Sequence, residues 1–117
     1  IISEGIEIIN QDISGDTIHC SQNDDCILMC DGNNGGNCAH VSMICQNIDN
    51  GICKLTCIGY NSCNGLSFTA INVKSVEIIC GHGNETAYEH SCYEMTSEIT
   101  LKDELSTVNI ECIGIES

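Results

Sequence analysis

The stretch Val76-Glu77-Ile78-Ile79-Cys80 is copied by four other five-residue blocks, at 6–10, 26–30, 53–57 and 108–112. Each block alternates. Cys26, Leu28 and Cys30 fall on one face, as do Val76, Ile78 and Cys80, which is the period of a half-buried strand. A second series with its own fixed span occurs at 13–20, 38–45, 63–70 and 92–99. Its inward positions are Val41, Met43 and Cys45, then Leu66, Phe68 and Ala70. Successive starts of the first series lie 20, 27, 23 and 32 residues apart, so insertions are expected only in the loops between strands.

Such a repeat has no core of its own and buries its apolar residues only against its neighbours, which is the logic of a solenoid. The expected fold is all-β: a disulfide-stapled right-handed parallel β-helix of about four to five rungs with two main strands per rung. The hand follows from the rule for parallel crossovers. Gly and Asn clusters such as Asp31-Gly32-Asn33-Asn34-Gly35-Gly36-Asn37 and Gly59-Tyr60-Asn61 read as turns. Residues 1–117 read as one β-solenoid domain, a segment of a longer repeat protein.

Composition agrees with stacked strands better than with a globule: 42% of residues are hydrophobic, yet there is one Phe, three Tyr and no Trp. Eleven cysteines in 117 residues point to a secreted or cell-surface chain held by disulfides. The formal charge of −14, with only three Lys and no Arg, argues against nucleic acid or an anionic membrane as partner. No apolar run is long enough to span a bilayer. The opening Ile1-Ile2-Ser3-Glu4-Gly5 resembles neither a signal peptide nor a natural start.

Cys26 and Cys30 would be about 13 Å apart in a strand, too far to bond. Across the connections cysteines come and go in pairs. Cys20 with Cys26 and Cys45 with Cys53 are followed by Ala70 with Val76 and Ile99 with Val108. Cys30 with Cys38, Cys57 with Cys63 and Cys80 with Cys92 are replaced together by Asn10 with Ile13. Joint replacement suits one bond per loop, each contributing about 2 kcal/mol by the chain-entropy model. The rival scheme bonds equivalent cysteines of adjacent rungs, such as Cys20 to Cys45, whose near-parallel Cβ directions suit a disulfide poorly. Zinc is the other reading of a cysteine-rich chain, but the usual CxxC spacing is missing. Cys112 is left over, unpaired or bonded to another chain, because Cys57 is followed six residues later by Cys63 whereas Cys112 is followed only by Ile113 to Ser117. Both ends read as cut mid-solenoid.

Outward positions form columns: Thr17, Ser42, Ser67 and Thr96, and beside it His19, Ile44, Thr69 and Glu98. The first suits solvation, a glycan or ice, and the second breaks the Thr pairing that ice binding needs. Ile9, Ile27, Met29 and Ile79 are expected to form an apolar contact strip. Asn84-Glu85-Thr86 is an N-glycosylation sequon. His82, Glu85, Glu89 and His90 for a metal, and Asp24 and Asp25 or Asp31, Asn33 and Asn37 for Ca²⁺, match no known ligand spacing and read as solvated loops. No column carries paired carboxylates or a nucleophile motif, so no cofactor, metal or catalytic residue is expected.

The pattern Cys-x-[Leu/Ile]-x-Cys-x-Gly followed by Asn/Ser-Cys, at 53–63 and less perfectly at 26–38, resembles the cysteine-rich β-helical repeats of large secreted and cell-surface proteins of protists. Ala70 and Val76 depart from it. The resemblance implies the fold more than a function. The expectation is an extracellular structural protein, a non-enzymatic block of a filament, appendage or coat that self-associates or continues into further rungs. The alternative is a carbohydrate- or ligand-binding surface module, for which Tyr60, Tyr88 and Tyr93 lie in or beside loops rather than in an aligned row. A polysaccharide-cleaving enzyme is third.

Overall fold

In the computed structural model, which describes residues 6–21, 25–81 and 91–112, the alternation of the repeated blocks becomes seven strands. They are β1 (Ile6–Ile9), β2 (Thr17–Cys20), β3 (Cys26–Asp31), β4 (Ser42–Ile58), β5 (Ser67–Cys80), β6 (Thr96–Leu101) and β7 (Thr107–Cys112). Every strand pair is parallel. One stack runs β1-β3-β4-β5-β7 and aligns Ile6, Cys26, Cys53, Val76 and Val108. The other runs β2-β4-β5-β6 and aligns Thr17, Ser42, Ser67 and Thr96. The long strands β4 and β5 belong to both.

Like stacks on like because a one-residue slip would turn every inward side chain to the outer face. Strand β3 alternates strictly between buried and half-buried residues. Leu28, Leu55 and Ile78 fill one layer series, and Val41, Met43, Leu66 and Phe68 the other, all buried. Phe68 is the largest of them.

Two features differ from the sequence reading. The second series was expected to be strand from its first residue, at 13, 38, 63 and 92, but the strands begin four residues later. Each starts with a tight turn instead: Asp16, Val41, Leu66 and Met95 donate backbone N–H bonds to the carbonyls of Ile13, Cys38, Cys63 and Cys92 at 2.9, 3.2, 3.1 and 3.2 Å. The third turn residue has positive φ in all four, Gly15, His40, Gly65 and Glu94, the signature of a type II turn. His40 and Glu94 hide that signature, since non-glycine residues rarely adopt it. The turns stack too: Gly15, His40 and Gly65 donate backbone bonds to the carbonyls of Ala39, Asn64 and Tyr93.

The second difference lies between the two series, where 46–52 and 71–75 belong to the continuous strands β4 and β5 rather than to loops. Gln46, Ile71 and Thr100 align, as do Ile48, Val73 and Leu101, and Ile48 and Val73 are fully buried. The chain turns the corner at Asn47 and Asn72, with φ of 56° and 58°, and Asn72 Nδ2 donates to Asn47 Oδ1 at 2.8 Å. An amide ladder of this kind satisfies polar groups only against the neighbouring strand. The longer connection of β4 is absorbed as a register shift between Ile48 and Ile52.

Candidate functional site

Five disulfides, Cys20–Cys26, Cys30–Cys38, Cys45–Cys53, Cys57–Cys63 and Cys80–Cys92, each close one connection, with Cα separations of 5.9 to 6.4 Å. Because Cys30, Cys57 and Cys80 are in register, three of the bonds form a column at one corner. Two form a column at the other, continued by Ala70 and Val76. The sulfurs of Cys20, Cys26 and Cys45 lie within 4.8 Å of one another. They are bonded, so none offers the thiolate that zinc requires. Cys112 is free and exposed, stacked in register on Cys80. Five disulfides fit an oxidising environment. No helix among the described residues is long and apolar enough to cross a membrane.

The outward columns stand in register as the repeat implies, with His19, Ile44, Thr69 and Glu98 beside the Ser/Thr column. His19 Nε2 lies 2.7 Å from Gln46 Oε1. The apolar strip needs correction. Ile9, Met29 and Ile79 share a column that Thr56 interrupts, while Ile27 belongs to the neighbouring column with Glu7, Lys54, Glu77 and Asn109. Only Ile9 of the four is exposed. Asn84, His82, Glu85, Glu89, His90, Asp24 and Tyr88 lie outside the described residues.

The described oxygens considered for Ca²⁺ already accept hydrogen bonds, some within turns and some from the neighbouring layer. Asp31 accepts from Asn33 N and Asn34 Nδ2, Asn33 Oδ1 from Tyr60 N, Asn37 Oδ1 from Ala39 N, and Asp25 from Ile52 N. A carboxylate pair does emerge that column counting missed, because it is diagonal: Asn109 Nδ2 donates to both Glu77 (3.2 Å) and Glu111 (3.3 Å). The hydrogen bond from Asn109, then that from Lys54, holds Glu77 below the ordinary glutamate range. Glu77 is thus kept as an acceptor, the opposite of what a general acid needs.

All three lysines are spent within the stack, as Lys54–Glu77, Lys74–Asp103 and Lys102–Asp49 pairs at 3.2, 3.6 and 2.7 Å. The remaining surface is therefore strongly acidic.

No protein-family model, curated protein or solved structure matches this chain. The site has to be read from the geometry, and the geometry singles out the two ends. At one, β1 and β2 each pair on a single edge, and Ile6, Ile8, Ile13 and Ile18 line a hollow of about 430 Å³ with Asp16, Thr17 and His19 at its margin. At the other, among the described residues, β6 and β7 likewise pair only with β5. There Val108 and Ile110, which occupy inward positions of the repeat, are 46% and 54% exposed. Nothing among the described residues covers either layer.

Proposed function

We propose that the chain forms an extracellular, disulfide-stapled right-handed parallel β-helix whose role is structural: a rigid block of a filament, appendage or coat. The observation that carries this reading is that, among the described residues, both outer layers are uncovered, each with parallel strand edges left unpaired over inward-type apolar residues. Such edges template further strands, and apolar residues left in water favour being covered. Continuing the register of the first stack, Val108 and Ile110 would meet Ile6 and Ile8 of the next unit, and Asn109 would meet Glu7. The next unit is a second copy or further rungs of the same polypeptide. The stacked turns, amide ladder and disulfide columns support rigidity, and the disulfides support secretion. The sequon at Asn84 supports an N-linked glycan.

Electron microscopy and analytical ultracentrifugation of the unreduced chain test this. Concentration-dependent linear assemblies are expected, promoted by salt, which screens the repulsion between units of charge −14 over a Debye length of about 10 Å at 0.1 M. Ile8→Lys and Ile110→Lys should each block growth at one end. Monomers at every concentration and salt would overturn the self-assembling reading.

A further inference from the structure

We propose that the groove beside Tyr60 is a binding site for an uncharged saccharide. The groove holds about 330 Å³ and is lined by Gly32, Asn37, Ala39, Tyr60, Asn61 and Asn64. That is the small end of the range for ligand sites, about 300–1,000 Å³, with room for a sugar ring or two. It lies where the loops closed by Cys30–Cys38 and Cys57–Cys63 stack on each other, away from both open ends.

Its chemistry is that of a polyhydroxyl ligand. Tyr60 is 61% exposed, an apolar ring with a polar tip standing in water, the kind of surface that stacks on the C–H face of a sugar. The three asparagines each offer amide donors and an acceptor, which match the donor and acceptor character of hydroxyls. Asn37 uses its Oδ1 on Ala39 N, which leaves its Nδ2 to donate outward. Asn61 and Asn64 are half-buried, and no side-chain hydrogen bond occupies either amide among the described residues. In a chain of charge −14 no lining residue among the described residues is charged. A cation would find no carboxylate among them, and an anion would meet the field of the whole molecule.

The site is also rigid before anything binds. Tyr60 sits in the middle of the short loop closed by Cys57–Cys63. It is flanked by positive-φ Gly59 and Asn61, and its N–H donates to Asn33 Oδ1. Gly32 packs so closely that a Cβ there would overlap the Tyr60 carbonyl oxygen. Pre-organisation of this kind removes ordering cost from binding. The inference does not depend on the assembly proposed above, because the groove is formed within one chain.

The test is an NMR titration of the unreduced chain with cellotetraose, chitotetraose and mannotetraose, with tetragalacturonate as the charged comparison. At least one neutral tetramer should give saturable shifts centred on Tyr60, Asn61 and Asn64, and tetragalacturonate should bind at least tenfold more weakly. Tyr60→Ala should weaken binding by about tenfold, the scale of one lost aromatic contact. The shift map on the unaltered chain stands by itself if that variant folds poorly. Absence of saturable shifts with all three neutral tetramers, shifts centred elsewhere, or equal binding of tetragalacturonate would overturn the proposal.

Discussion

Replacing Cys45 with Ala and Cys53 with Val gives one corner the solution that the next repeat already uses, because Cys45 is in register with Ala70 and Cys53 with Val76. All four residues are buried, so the substitution exchanges a covalent link for apolar contact of similar volume and leaves no lone thiol inside. The Cys45–Cys53 bond closes a sequence separation of 8 residues. The chain-entropy model assigns such a closure about 2.5 kcal/mol. Repacking at nearly constant volume shifts this by less than about 1.5 kcal/mol, so a net loss between about 1 and 4 kcal/mol, centred on about 2.5 kcal/mol, is expected. With an unfolding entropy of about 2.1 cal/mol/K per residue, the midpoint should fall by about 10 °C. Urea unfolding followed by circular dichroism without reductant measures it. The midpoint should drop by about 1–2 M, with a slope equal to or slightly steeper than before because the freed unfolded chain exposes more surface, while mass spectrometry finds four disulfides. A loss below about 0.5 kcal/mol would mean that the stacked strands already hold the corner closed. A loss above about 5 kcal/mol would mean that the bond does more than restrict the unfolded chain.

Gly32→Ala should cost about 1–3 kcal/mol or more by overpacking, since its Cβ would meet the backbone of Tyr60 rather than a side chain that can swing away; an unchanged thermal midpoint would refute the close approach. For Glu77, whose folded pKa lies below the ordinary value of 4.5, the unfolded chain binds the proton more tightly. Its stabilising contribution is therefore full above the unfolded value and disappears as pH falls through the folded one. Glu77→Gln should be less stable than the natural chain at pH 7 and equally stable well below pH 4.5, with the difference between the two denaturation curves as the readout. A difference independent of pH would show that the hydrogen bond to Asn109, rather than the charge, is what matters.

The repeat was legible because strand periodicity and its spacing are local properties. Alternation at 26–30 and 76–80 implies one buried face, and one buried face repeated with variable connections implies parallel layers. Pairing of cysteines by connection was legible through joint replacement, with Ala70 and Val76 absent as cysteines together. The turn at the start of each second strand was not, because His40 and Glu94 adopt a backbone conformation that their side chains do not advertise. Ile48 and Val73 were missed as core for a related reason: Asn47 and Asn72 look like loop residues, and only their mutual hydrogen bond in the stack makes that corner part of a ladder.

Sequence alone determined the strand faces, the parallel order and the cysteines that share a connection, since each follows from spacing along the chain. Tertiary structure decided what depends on distances between layers. It placed Glu77 and Glu111 on one amide, spent all three lysines on acidic residues of other layers, and left Val108 and Ile110 uncovered although their pattern is that of a core. It also brought Tyr60 and Asn37 to one groove, because the two disulfide-closed loops that carry them meet only once they are stacked.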